Sequence, residues 1–132
     1  MRRLFMAVIA MATMAAPAMA RELPPWVYEQ AREGAGTVVV LRVTSVTALP
    51  PGQPRGACTL QGDVEAVERG AVAIGQEVTL AVPCIGPDYE GMPGPFPGYD
   101  QVGLMSVQRV RVWMTGGRLV QRGLDAITEQ PA

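Results

Sequence analysis

The chain has 132 residues, 48% of them hydrophobic and 17% charged, with 15 Gly, 12 Pro and 2 Cys. It contains no His, Lys or Asn, and all 11 basic residues are Arg. Histidine is the usual general base near neutral pH and the commonest metal ligand, and lysine supplies Schiff-base and phosphate-cradling chemistry, so serine triads, His-built zinc sites and P-loops are excluded. The lean towards Ala, Gly, Pro, Val and Arg, whose codons are GC-rich, points to a GC-rich bacterial genome.

The first segment reads as an export leader. Met1-Arg2-Arg3 is a basic start, Leu4 to Ala16 is apolar and uncharged, and Ala18-Met19-Ala20 is a small-x-small cleavage pattern, so residues 1–20 are expected to leave with a cut after Ala20. As a helix the apolar run would rise about 20 Å, against a hydrocarbon core of about 30 Å, too short to span a bilayer. Arg2-Arg3-Leu4-Phe5-Met6 resembles a twin-arginine signal, but a basic pair serves ordinary Sec export equally, and Sec is the expected route. Removing 20 of 132 residues leaves 112, one domain, with nine Arg against twelve acids and a net charge of −3. Such a chain offers no basic patch for nucleic acid. It is expected in the periplasm or secreted, with no membrane span after the leader.

Residues 21–36 form a short helical segment and 37–132 a single β domain. The helix starts at Pro24-Pro25 and ends near Gly34-Ala35-Gly36, with Trp26, Ala31 and Val27 on its packed side. From Thr37 to Thr47, TVVVLRVTSVT is dominated by β-branched residues and predicts one long strand, ended by Pro50-Pro51-Gly52.

Between Cys58 and Cys84, pairing residues whose numbers sum to 142 sets Cys58 opposite Cys84, Leu60 opposite Val82, Gly62 opposite Leu80 and Val64 opposite Val78 on one apolar hairpin face. The other face carries Thr59, Gln61, Asp63 and Glu65. A one-residue slip would exchange the two faces. In an exported chain the two cysteines are expected to be oxidised, and closing a loop of about 26 residues contributes roughly 3.5 kcal/mol in the chain-entropy model. A redox pair would be closer in sequence, as in C-x-x-C.

Ile85 to Asp100 is too rich in Pro and Gly for a strand or helix, and a structureless loop of this length is uncommon unless functional or disordered. Its Asp88, Tyr89, Phe96, Tyr99 and Asp100 are the candidate binding residues, as an adaptable aromatic lip. The plainer alternative is that the rings staple the loop to the domain. Asp88, Glu90 and Asp100 suit a hard cation in type, but not in the spacing of a calcium loop, and no metal or cofactor is expected. Gln101 to Val107 and Arg109 to Thr115 read as strand material, and Gly116-Gly117 turns into a short strand, Arg118 to Gln121. That turn pairs Met114 with Leu119, but continuing it sets Arg111 opposite Arg122, an unfavourable like-charge pair. Arg109, Arg111 and Trp113 form a strand face able to seat an anion or a stacked ring, or simply a solvated face.

Five strands of this kind predict a small OB-like barrel with a short N-terminal helix, a β-sandwich being the alternative. The stretch GDVEAVERGAVAIGQEVTLAVPC resembles the hairpin of secreted OB-fold domains of the netrin and tissue-inhibitor-of-metalloproteinase type, over Thr37 to Val120. In that inhibitor family a mature N-terminal Cys chelates the target's zinc. Here the expected mature end is Arg21-Glu22-Leu23, so that activity does not carry over. The missing catalytic residue types point away from an enzyme and towards a binding module for a protein or envelope component. The alternatives are a subunit of an envelope assembly that offers an edge strand, or a small hydrolase working through Asp88, Glu90 or Asp100. Intact-mass analysis of the exported protein is expected to show a chain starting at Arg21 and two hydrogens lighter than the dithiol.

Overall fold

The computed structural model describes residues 23–91 and 96–128. The expected leader, residues 1–20, and its expected cleavage position Ala20 lie outside them. The chain forms α1 (Pro25–Glu33), β1 (Thr37–Thr47), β2 (Arg55–Arg69), β3 (Glu77–Ile85), β4 (Tyr99–Asp100), α2 (Gln101–Ser106), β5 (Arg109–Thr115) and β6 (Arg118–Ala126). All six strands lie in one sheet, in the order β4-β3-β2-β1-β5-β6. The sheet curls into a half-barrel, which is the barrel-like β fold expected and not a sandwich.

β1 sits at the centre because it is apolar on its inner side and long enough to serve two neighbours. Its Val39 and Leu41 pair with Val112 and Val110 of β5 on one flank and with Val67 and Val64 of β2 on the other. All but the half-buried Val67 are at most 2% exposed. From β2 and β3, Leu60, Leu80 and Val82 close the same core, and Leu104 of α2 plugs it from the crossover between β4 and β5. Three register shifts along β1–β2 supply the coiling that a curled sheet needs.

The β2–β3 hairpin keeps the predicted inner and outer faces but in a different register. Cys58 pairs with Val82 and Gly56 with Cys84, so paired numbers sum to 140 instead of 142. The difference is two residues, a full pleat, which leaves every side chain on its expected face. The cysteines are therefore diagonal neighbours, with Cα atoms 5.7 Å apart, and they form the disulfide, both sulfurs buried in the core. Hydrophobic patterning fixes register only modulo two, and here the loop chooses. Gly75 N–H donates to Val64 O at 2.7 Å, and Val64 N–H to Gln76 O at 3.0 Å, closing the hairpin earlier than the symmetric reading allows.

Three further expectations change. Trp26 is 56% exposed, and Tyr28 is the buried ring of α1, because the helix docks through Tyr28 and Arg32, one turn apart, onto β6. Residues 101–106 are helix and not strand: Asp100 Oδ2 accepts from Gly103 N–H at 3.1 Å, an N-cap that starts α2. The last strand runs to Ala126, well beyond Gln121, and Tyr99-Asp100 adds a sixth, two-residue strand parallel to β3.

The like-charge conflict between Arg111 and Arg122 is removed by a bulge. Thr115↔Arg118 and Met114↔Leu119 pair as expected, but the ladder resumes at Val112↔Leu124, so Asp125 comes opposite Arg111. Arg122 sits in the bulge at φ +53°, and a Cβ on its neighbour Gly123 would lie 2.7 Å from Trp113 O, so the bulge needs glycine there. Replacing both cysteines by alanine is expected to lower unfolding free energy by roughly 3.5 kcal/mol, measured by urea denaturation; an unchanged midpoint would show that the bridge constrains nothing.

Candidate functional site

The candidate strand face is already engaged within the molecule. Arg109 pairs with Glu65 at 2.9 Å, and Arg111 pairs with Glu68, both acids reaching across β1 from β2. Trp113 lies beneath Arg32, whose guanidinium carbon is 4.0 Å from the ring centroid. Arg32 also clasps Asp125 bidentately at 2.9 and 3.0 Å and donates to Arg122 O at 2.6 and 3.1 Å. Arg69 NH1 donates to the carbonyls of Arg32, Glu33 and Ala35, capping the C-terminal end of α1. The exposed ion pairs contribute little each, but the planar stack and the backbone bonds fix α1 against β6.

The loop candidates separate into two groups. Phe96 and Tyr99 meet edge to face at 5.0 Å, and Arg122 stacks between Phe96 at 4.5 Å and Tyr28 at 4.6 Å. Tyr99 Oη accepts a hydrogen bond from Leu124 N–H at 2.9 Å, tying β4 to β6. Burial raises the Tyr99 phenol above its ordinary value, and the hydrogen bond from Leu124 and the nearby Arg32 offset part of that rise. Gly98 delivers this tyrosine: at φ +139° a Cβ there would lie 2.8 Å from the backbone of Pro83, so only glycine lets β4 lie against β3. Asp100 is spent as the cap of α2. Asp88 is exposed and Tyr89 half-buried, and neither joins this cluster. Among the described residues no group of three His, Cys, Asp or Glu side chains is placed to hold a metal ion.

What remains open is the seam of the half-barrel. A groove of about 370 Å³ runs between α2 and β6, lined by Tyr99, Asp100, Gly103, Leu104, Val107, Leu124, Asp125 and Ala126. Val107 also lines a wider cleft of about 730 Å³, together with Arg42, Val43, Thr44, Ser106, Gln108, Arg109, Ile127 and Thr128. Arg42 and Arg109 are directly opposed on β1 and β5, and among the described residues Arg42 makes no ion pair. The cleft is thus basic and hydroxyl-rich, the groove apolar, and α2 turns Val102 and Met105 to solvent beside them.

Sequence reasoning missed this seam, because both of its walls were read differently, α2 as a strand and β6 as a four-residue stub. Asp100 three residues before Gly103, followed by Leu104 and Val107, is a weak N-cap and helix-face signal that could have found it. The chain matches no protein-family model, no curated protein and no solved structure.

Unfolding stability is expected to fall as pH rises through 10. An unfolded tyrosine ionises there, while half-buried Tyr99 stays protonated, so the unfolded state binds fewer protons until Tyr99 itself ionises. Thermal melts between pH 8 and 11 are expected to show a smaller fall for Tyr99→Phe than for the natural chain, and parallel curves would show that the phenol does not titrate differently on folding.

Proposed function

We propose that the protein is a non-catalytic exported module that binds a protein or envelope component at the open seam of its half-barrel. The observation that carries this reading is the pair of cavities, an apolar groove and a basic cleft, that share Val107 as a lining residue where the curled sheet stops short of closure. Pockets of these sizes suit a ligand group or an inserted side chain. Export is supported by the leader pattern of residues 1–20 and by the disulfide, since such bonds persist in oxidising compartments. No helix among the described residues is long and apolar enough to cross a membrane.

The resemblance to secreted OB-fold domains agrees with a binding role, since barrels of that kind bind through one face and its loops. Hydrolysis is the weaker reading. Of the acids at the groove, Asp100 caps a helix and Asp125 is held by Arg32, leaving neither poised for proton transfer. A photo-crosslinking residue at Val102, beside the groove, is expected to give one discrete adduct in the native host, and the same residue at Thr79, exposed on β3, none. No adduct from Val102, or the same adducts from both, would overturn the assignment.

A further inference from the structure

The β5–β6 ladder shows where β6 aims its backbone. Ile127 N–H donates to Arg109 O at 2.9 Å, so 127 and 109 are a hydrogen-bonded pair. By the alternation of an antiparallel ladder, Val110↔Ala126 and Val112↔Leu124 are then non-hydrogen-bonded pairs, whose N–H and C=O groups point away from β5. Leu124 N–H confirms that direction by reaching the Tyr99 hydroxyl across the seam. The C=O of Leu124 and both backbone groups of Ala126 face the same way, along the wall of the apolar groove. Among the described residues no strand covers them, because β4 ends at Asp100 and the chain turns there into α2. An uncovered edge of this kind is a template for another strand.

We infer that this edge takes up an extended segment of a partner protein, acidic at the end that reaches the cleft, by strand addition to β6. The inference rests on the binding role proposed for the same seam and names its partner chemistry. Backbone bonds to Leu124 and Ala126 hold the segment, and an apolar side chain enters the groove between Leu104, Val107 and Leu124. The charge follows from the cleft beyond Val107, where Arg42, which has Asp63 opposite it on β2 but makes no ion pair among the described residues, stands beside Arg109, which Glu65 holds. A carboxylate on the incoming segment pairs with the Arg42 guanidinium there.

The test is a titration of the disulfide-bonded mature protein, followed by amide NMR, with a six-residue valine/threonine-alternating peptide flanked by aspartates and with its lysine-flanked twin. Saturable shifts are expected at Leu104, Leu124 and Ala126, with tighter binding of the aspartate form, and Arg42→Glu is expected to reverse that preference. Ala126→Pro removes only a seam-facing N–H, which an edge strand tolerates, and is expected to weaken binding roughly fivefold, the worth of one hydrogen bond. Should that variant not fold, methylating alternate peptide nitrogens on the unaltered protein reads the same bonds and is expected to abolish binding. Shifts centred on residues 85–91, or affinity indifferent to both changes, would overturn strand addition, and equal binding of the two peptides would overturn the acidic end. A Val102 crosslink that persists beside either negative would leave the binding role standing and remove only the partner class.

Discussion

A sheet of six strands has two edges, and in this molecule a hydrogen bond from Leu124 N–H to the Tyr99 hydroxyl links them. Much of the structure serves that contact. Gly98 brings β4 close enough to β3 to place the tyrosine, the bulge at Arg122 turns β6 towards it, and the Phe96 ring packs against its edge. A full barrel removes its edges by hydrogen bonding throughout. Here β6 meets the far edge around Leu124 and Tyr99, and a groove lies beside that contact, so the same geometry that completes the core also creates the open wall.

Arginine provides most of the long-range fastening. Arg32 stacks on Trp113 and clasps Asp125, Arg69 collects three carbonyls at the end of α1, and Arg122 lies between two rings. Each role uses a planar, multiply donating cation, which an ammonium group cannot imitate. The absence of lysine, which at first only struck mechanisms from consideration, thus accompanies a structural use of the remaining cation. Mutual support among these contacts is strong, because Arg32 binds the carbonyl of the very residue, Arg122, whose side chain stacks on Tyr28 four residues before it.

Sequence patterning revealed what depends on alternation and composition. The β-branched run of β1, the inner faces of β2, β3 and β5, and the disulfide partners all follow from which side chains avoid water. The exact hairpin register did not, since a two-residue shift costs nothing in burial, and the backbone bonds of Val64 with the 70–76 turn decide it. The end of β6 was hidden for a related reason. The expected pairing ran into two like charges, which correctly flagged an irregularity, but a bulge with a left-handed arginine is a tertiary solution with no local signature. Helix α2 was obscured because Val102, exposed in the fold, stands two residues from the buried Leu104 and so mimics the alternation of a strand. With both walls misread, the groove between them was invisible, whereas the aromatic loop residues stood out for their residue types and proved to be largely committed to packing.

The clasp between Arg32 and Asp125 spans 93 residues of chain, and that from Arg69 to the end of α1 spans more than 30. A nine-residue helix is not stable in water by itself, so α1 has no reason to persist until both strands are in place. Helix α1, which precedes every strand in the chain, is therefore among the last elements to be secured. A chain emerging with its N-terminus leading stays pliant around α1 until β6 is available, and loses its helix again if β6 is trimmed.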